Sequence, residues 1–405
     1  EKLPNVNLIL PFKDVSILDS QRKKEIGHGF KARGKLELDK TNAIKIKIRA
    51  KGDRDLHREN FETMSFKIDI KGENRLFGLE EFAIQRPIIR NYGWELLIVK
   101  VAEQQGVLAP KIFPINLFIN GTSHGIYVIE ENFTKEFLEK RNRKAGPIYG
   151  LNEDASLSYP DVVYETQVEA SSGFASDQAL MKIGFEKLNR IKNLHASKDF
   201  KLNHYFDVDA WSQYFAIIDF FSAYHGAVPK SVKLYFNPTT QLFEPIMYDN
   251  HIGGSNYTKF SLIDFHTKLE FDASICGFAC TQSEWFKVFF RDKEFSQQFA
   301  KAVSDIIVKY EMGEFSKEIA EVESFNNLMY ARFAPADRVF AAGLLPYFMD
   351  IKHLDRRSSL IKAKLKEASL KNGMRTNQYS RRFVGNNFCI EGRTYDFCDS
   401  VTSKI

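Results

Sequence analysis

The clearest pattern lies in short runs that alternate apolar and polar residues. Ile44-Lys45-Ile46-Lys47-Ile48-Arg49 and Ser65-Phe66-Lys67-Ile68-Asp69-Ile70-Lys71 place an apolar side chain at every second position. Successive side chains of a strand point to opposite faces, so this period predicts two half-buried strands. The polar stretch from Lys51-Gly52-Asp53 to Asn60 reads as the loop between them. From Asn91 to Gln105 the period changes. Trp94, Leu97, Ile98 and Val101 recur at spacings of three and four, which predicts a helix, and Gly106 is its stop signal. Ile115-Asn116-Leu117-Phe118-Ile119 and Gly125-Ile126-Tyr127-Val128-Ile129 are strand-like again. Asn120-Gly121 between them favours the left-handed backbone of a tight hairpin turn.

Residues 40–130 therefore read strand, strand, helix, strand, strand, an α+β arrangement. Residues 1–40 carry no clear period. Phe133–Lys144 is charged and reads as helix, and residues 150–180, rich in Ser and acids, read as loop. The second half predicts mostly helix. Trp211–Phe221 is a dense apolar run, expected to be a buried helix. Val232–Phe236 and Leu242–Tyr248 flank the turn residues Asn237-Pro238-Thr239-Thr240 and predict a second hairpin. Helical periodicity fills residues 281–370, and the polar tail after Gly373 reads as irregular. The expected organisation is a β-rich lobe over 1–132 with one inserted helix, a mainly helical lobe over 133–375 carrying a hairpin, and a tail over 376–405.

Composition narrows the class. The chain has 405 residues, of which 44% are hydrophobic and 36 are Phe, enough for a sizeable core and against wholesale disorder. A net charge of +5 is too small to call for nucleic acid. No run approaches the roughly 20 apolar residues of a membrane span, and no signal-peptide pattern is visible. The four cysteines form two local pairs, Cys276 with Cys280 and Cys389 with Cys398. Neither has the short spacing of a zinc knuckle, so two local disulfides, which would imply an oxidising compartment, are the first expectation. A zinc site and unrelated thiols are the alternatives.

Short catalytic motifs are missing. The sequence has no Gly-x-Gly-x-x-Gly, no Walker loop, no Gly-x-Ser-x-Gly, and neither His-Arg-Asp nor Asp-Phe-Gly. Arrangement says more. Phosphoryl transfer needs a cation on the phosphates, a carboxylate that fixes it, and acidic groups for a metal. Lys67 sits mid-strand and Glu95 lies on the helix that follows, an order that suits the first two roles. Asp249 ends the late hairpin, followed by Asn250 and His251, where a carboxylate could hold a metal. Asp219 lies inside an apolar run, and a buried carboxylate must be paired or functional. His225 is a loop histidine that could serve as a base. Each has an ordinary reading as well: a solvated strand lysine, a solvated helix glutamate, turn chemistry, a lone histidine.

The joint order of these residues resembles the CotH family of atypical kinases. The similarity runs through Lys51-Gly52-Asp53, Ser65-Phe66-Lys67-Ile68, Leu76-Phe77-Gly78-Leu79, Arg90-Asn91 with Glu95, Asn120-Gly121, Gly125-Ile126-Tyr127 and Glu130-Glu131. It resumes at Val232–Pro238, Glu244-Pro245-Ile246 and Tyr248-Asp249. The resemblance implies a two-lobed, kinase-like fold whose small lobe holds a five-stranded sheet. It also implies ATP with Mg²⁺ or Mn²⁺, and phosphate transfer to Ser or Thr of a secreted or surface protein. By position, Lys67 looks like the phosphate-binding lysine and Glu95 like its ion-pair partner. Glu130 and Glu131 look like the connection beside adenine, and Asp249 like the metal-holding aspartate.

Three departures stand out. The loop Ser222–Lys230 carries no acid, which leaves Asp219 or His225 to orient the acceptor hydroxyl. Ser231 stands where an Asn would help to hold a second metal, and His251 where a second carboxylate would. Fewer oxygen ligands weaken Mg²⁺ binding, and His251 favours Mn²⁺ or Zn²⁺. A degenerate pseudokinase acting as a surface or structural binding module is thus the second reading. An unrelated α+β enzyme, such as a hydrolase, is the third.

Overall fold

The alternating runs become staves of a closed barrel in the computed structural model. The structure describes residues 3–39, 41–52, 57–90, 92–151, 169–170, 178–194, 200–229, 231–250, 260–266, 284–332, 351–371, 381–384 and 387–390. The chain divides into two compact units. The first comprises Glu1–Val99, Pro110–Lys140 and Val322–Phe348, and the second Lys100–Ala109, Arg141–Glu321 and Met349–Ile405.

The first unit opens with β1 (Asn5–Ile9), α1 (Phe12–Arg22), β2 (Ala32–Leu38), β3 (Ile44–Ala50), β4 (Phe66–Ile70) and β5 (Glu81–Gln85). After these come α2 (Trp94–Gln104), β6 (Ile112–Ile119), β7 (Thr122–Glu131) and α3 (Lys135–Glu139). Seven strands close in the order β1-β2-β3-β4-β5-β7-β6. Neighbours are antiparallel except for the closing pair, where β1 runs parallel to β6 from Asn5↔Asn116 to Leu8↔Ile119. One parity of each strand, including Val6, Leu36, Ile46, Ile68, Phe82 and Ile129, packs into a single core. The opposite parity of β2, β3 and β4 carries the charges.

Three strands escape the periodicity argument. Inward-facing Gly34 interrupts the apolar set of β2, because a Cβ there would lie 2.6 Å from Leu10 Cδ2 and 2.9 Å from the Ile9 carbonyl oxygen. β1 is short, and β5 is buried on both faces, so it shows no polar alternation. The hairpin follows the sequence closely. Asn120 (φ +49°) and Gly121 (φ +80°) are both left-handed, as its two-residue turn requires. α2 ends before Gly106, whose φ is +76°. The helix expected over Phe133–Lys144 is only the short α3, capped by Thr134, and Asn142 at φ +55° is incompatible with its continuation. Arg75 Nε donates to Glu136 Oε1 at 2.9 Å and ties α3 to the first unit, so the expected boundary at 132/133 falls inside Pro110–Lys140.

The second half contains β8 (Ile148–Gly150), β9 (Glu169–Ala170), α4 (Gln178–Leu194), α5 (Val208–Phe221), β10 (Lys233–Phe236) and β11 (Phe243–Ile246). Helices α6 (Glu284–Arg291), α7 (Lys293–Glu311), α8 (Ser316–Arg332) and α9 (Ile351–Lys371) come next. A short pair, β12 (Arg381–Val384) and β13 (Asn387–Ile390), lies in the stretch read from sequence as irregular. An antiparallel sheet runs β11-β10-β8-β9. The apolar run Trp211–Phe221 is indeed a buried helix. Asp207 caps α5 by accepting from the Ala210 N–H at 3.0 Å, and Trp211 Nε1 donates to the Phe243 carbonyl at 2.8 Å. The abundant Phe side chains fill this core; Trp211 and Phe289 have ring centroids 4.9 Å apart.

The architecture is mixed α+β, β-rich in the N-terminal part and helical in the C-terminal part. No helix among the described residues is long and apolar enough to cross a membrane. Both expected cysteine pairs fall outside the described residues, apart from the Cys389 backbone.

Candidate functional site

Three polar clusters stand out, one in the first unit and two in the second. In the first unit, Lys51 follows β3 and continues the outward parity of Lys45, Lys47 and Arg49. Its Nζ donates to Glu130 Oε1 at 2.6 Å and to Gln85 Oε1 at 3.0 Å. Gln85 Nε2 in turn donates to Glu130 Oε2 at 2.9 Å. The same oxygen accepts from Arg90 Nη2 at 3.2 Å, and Arg90 Nε lies 3.0 Å from Glu95 Oε2. Two cations and two carboxylates thus form one chain, Lys51–Glu130–Arg90–Glu95, with Glu95 fully buried and Glu130 only 4% exposed. The charges cancel, which is what allows them to sit away from water.

The expected Lys67–Glu95 pair does not form. Lys67 faces Arg49 across the strands, and its ammonium lies 3.8 Å from Glu81. Desolvation holds that ammonium below the usual lysine range, with neighbouring Arg49 pushing the same way and Glu81 opposing. Lys67 and Lys51 are one row apart on the same face, since the Lys51 N–H bonds to the carbonyl of Ser65, two residues before Lys67. The helix carboxylate of Glu95 is indeed an ion-pair partner, but of Arg90. Glu131 Oε2 accepts from the Lys111 N–H at 3.0 Å, and the Glu131 N–H donates to the Lys111 carbonyl at 2.9 Å.

In the second unit, Asp219 on α5 is fully enclosed. Its Oδ1 accepts from Tyr224 Oη at 2.6 Å, Arg357 Nη2 at 3.0 Å and the Leu262 N–H at 3.0 Å; its Oδ2 accepts from Ser261 Oγ at 2.7 Å. Burial pushes the carboxyl up, and Arg357, Tyr224, Ser261 and the Leu262 amide oppose that push. Arg357 is fully buried too, and also donates to the carbonyls of Phe260 and Asp219, each at 2.6 Å. This arrangement holds α5 and α9 to the segment around Phe260.

His225, Ser231 and Asp249 come together a few residues away in sequence. Ser231 Oγ donates to Asp249 Oδ2 at 3.2 Å and lies 3.2 Å from His225 Nδ1. That imidazole nitrogen is 3.1 Å from the Asp249 carbonyl oxygen and 3.5 Å from Oδ2. Both side chains retain some access to solvent: those of His225 and Asp249 are 17% and 14% exposed. Asp249 adopts φ +56°, a conformation that costs a non-glycine residue about 1 kcal/mol or more and so points to a local constraint. The loop is pinned by Tyr214, whose hydroxyl donates to the Gly226 carbonyl at 2.7 Å. His251 lies outside the described residues.

Gly226 sets the position of the neighbouring Asn250. A Cβ at 226 would lie 2.2 Å from Asn250 Oδ1. Gly226→Ala is therefore expected to displace Asn250 and disturb Asp249, destabilising the protein by about 1–3 kcal/mol, as overpacking does. A denaturant melt would measure this, and an unchanged midpoint would mean that the loop yields freely.

A metal needs donors of suitable number and kind. Among the described residues no group of three or more His, Cys, Asp or Glu side chains gathers as a metal site. Asp249 with the Ser231 hydroxyl fits a looser case, because Mg²⁺ is often held by one or two carboxylates together with substrate phosphates.

A family model described as CotH kinase protein matches residues 46–329, more than half of the chain. The chain belongs to the CotH kinase family. Among curated proteins, the inner spore coat protein H of Bacillus subtilis (strain 168) is 26% identical over 209 residues, which cover 48% of this chain and 56% of that protein. The chain thus matches a little over half the length of this CotH relative.

Sequence reasoning missed Lys51, Gln85 and Arg90 as members of one network. Lys51 and Arg90 stand inside motifs that carried the CotH resemblance, and the parity of β3, extended by one outward position, would have pointed to Lys51. Nothing in the sequence marks Gln85.

Proposed function

We propose that this CotH-family chain has a kinase-like, two-lobed fold, binds ATP with a divalent metal, and transfers phosphate to a Ser or Thr hydroxyl of a protein. The observation that carries the reading is the convergence of His225, Ser231 and Asp249, three residues named from sequence for one site. Asp249 would hold the metal with Ser231 as a neighbouring oxygen donor, and His225 would accept the proton of the acceptor hydroxyl. A kinase-like arrangement is supported by the barrel itself. Within it, β3-β4-β5-β7-β6 is a five-stranded antiparallel sheet with α2 inserted between β5 and β6.

In protein kinases the phosphate-binding lysine stands on the third strand of that sheet. Here the third strand, β5, has no lysine, and Lys51 reaches Gln85 on it instead. We assign the phosphate contact to Lys51, oriented by Glu130, rather than to Lys67. Asp219, whose oxygens are all engaged, is assigned to the scaffold. A surface or coat location is in keeping with the spore-coat relative.

One observation favours nucleotide binding without transfer: the loop Ser222–Lys230 has no carboxylate. A thermal-shift titration with ATP and Mg²⁺ or Mn²⁺, followed by transfer from γ-labelled ATP to a Ser/Thr-rich protein, separates the readings. Ligand at a hundredfold excess over Kd should stabilise the wild type by about 2.7 kcal/mol. Asp249→Ala and Lys51→Met should abolish the shift, and Lys67→Met should retain it. A shift without label transfer would establish the binding-module reading, and no shift with either metal would refute a nucleotide site.

A further inference from the structure

The outward face of β2, β3 and β4 has a charge pattern that folding alone does not favour. Arg33 lies directly opposite Lys47, Lys35 opposite Lys45, and Arg49 opposite Lys67. Like charges directly opposed across strands repel and destabilise a sheet. Lys31 and Lys71 flank the set. Arg33, Lys35, Lys45 and Lys47 are exposed, and among the described residues none of them has a carboxylate within ion-pair distance. The acids of the face are few and engaged: Asp69 pairs with Lys31, Glu81 lies near Lys67, and Glu37 accepts from Asn7 Nδ2 at 3.3 Å. The depressed ammonium of Lys67 agrees with crowding by Arg49 and Lys31 as well as desolvation. A chain with a net charge of only +5 therefore concentrates six cations on three adjacent strands, with Lys31 and Lys71 just beyond their ends.

We infer that this face is a docking surface for an extended acidic protein segment, one carrying carboxylates or phosphoserines at alternate positions. The match is geometric. Alternate residues of a strand are about 6.6 Å apart along its axis. That is the spacing of Lys45, Lys47 and Arg49 on β3, and of Lys31, Arg33 and Lys35 beside them. An extended partner with acids at every second position repeats the same period. The barrel is closed, so the partner cannot add as a further strand, and recognition falls to side-chain charge. Among the described residues the outward positions of β2, β3 and β4 carry no aromatic side chain, and the exposed Phe30 beside Lys31 is a single ring at the rim, against the successive platforms on which nucleic-acid bases stack. Phe30 aside, no large apolar side chain stands on the outward positions of these strands among the described residues to enter a bilayer. The inference does not depend on the phosphotransfer reading, since it concerns binding alone.

The test uses the whole chain and a fluorescein-labelled dodecapeptide of alternating Glu and Thr, with its Gln counterpart as control, read by anisotropy at two salt concentrations. The wild type should bind the Glu peptide at least tenfold more tightly than the Gln peptide, and more weakly at high salt. Arg33→Gln/Lys45→Gln/Lys47→Gln should lose that preference while keeping or raising its melting temperature. Lys182→Gln/Lys301→Gln/Lys317→Gln, with the same charge change elsewhere, should retain it. Equal affinity of the wild type and the first triple variant would overturn the inference. So would tighter binding to phosphatidylglycerol vesicles or to oligothymidylate than to the Glu peptide, which would turn the face over to a membrane or a nucleic acid.

Discussion

Arg357→Met should lower the free energy of unfolding by about 3–5 kcal/mol, the cost of breaking a buried ion pair from one side. Arg357 and Asp219 are both fully buried, so the abandoned carboxylate has no water to turn to. The guanidinium also donates to the carbonyls of Phe260 and Asp219, and each would lose one donor, leaving the Tyr224 hydroxyl at Phe260 and the Ser222 N–H at Asp219. The double variant Asp219→Leu/Arg357→Met should recover only part of the loss. It removes the stranded charge but takes the carboxylate acceptor from Ser261 and the Leu262 amide, and leaves Tyr224 the Phe260 carbonyl at 3.0 Å. Urea melts of the single and double variants measure this. Asp219→Asn separates structural from catalytic roles. A scaffold acid loses stability, whereas an acid acting on substrate would lose transfer rate at an unchanged midpoint.

Glu130→Gln is the second large effect, expected at about 2–3 kcal/mol, in the range of hydrogen bonds to charged groups. Glu130 bridges Lys51 and Arg90, so its neutralisation removes the carboxylate that both cations share. The loss should be smaller than at Arg357, because the Lys51 side chain is 18% exposed and can swing into water. That freedom has a functional consequence. On the proposed assignment of Lys51 to the phosphates, the loss of its carboxylate guide should shrink the ATP-dependent thermal shift along with the unfolding midpoint. A destabilised variant with a full shift would detach Glu130 from the nucleotide.

The sequence made some of this legible and hid the rest for physical reasons. β3, β4, the β6–β7 hairpin, α2 and α5 each bury one face or all of it, and their periods say so. β5 is buried on both faces and β2 gives an inward position to Gly34, so neither shows the alternation that identifies a strand. The site followed the same division. His225, Ser231 and Asp249 meet within 24 residues of chain; His225 and Asp249 stood out from the residues themselves, and Ser231 only through the CotH resemblance. Lys51 meets Glu130 across 79 residues, through a strand register that composition and spacing do not encode. Lys67 and Lys51 share a face and differ by one row, and only the register of β3 against β4 tells them apart.

The parallel seam between β1 and β6 bears on how the chain can be cut. β1, α1 and β2 precede the stretch matched by the family model, which begins at residue 46 within β3. A fragment trimmed to that stretch would take two staves out of the cylinder and leave β3 and β6 with rows of unpaired amides and carbonyls. Such open rims recruit other chains. The segment that looks dispensable by family comparison is thus the one that keeps the sheet from joining its neighbours, and solubility would be lost before any chemistry was.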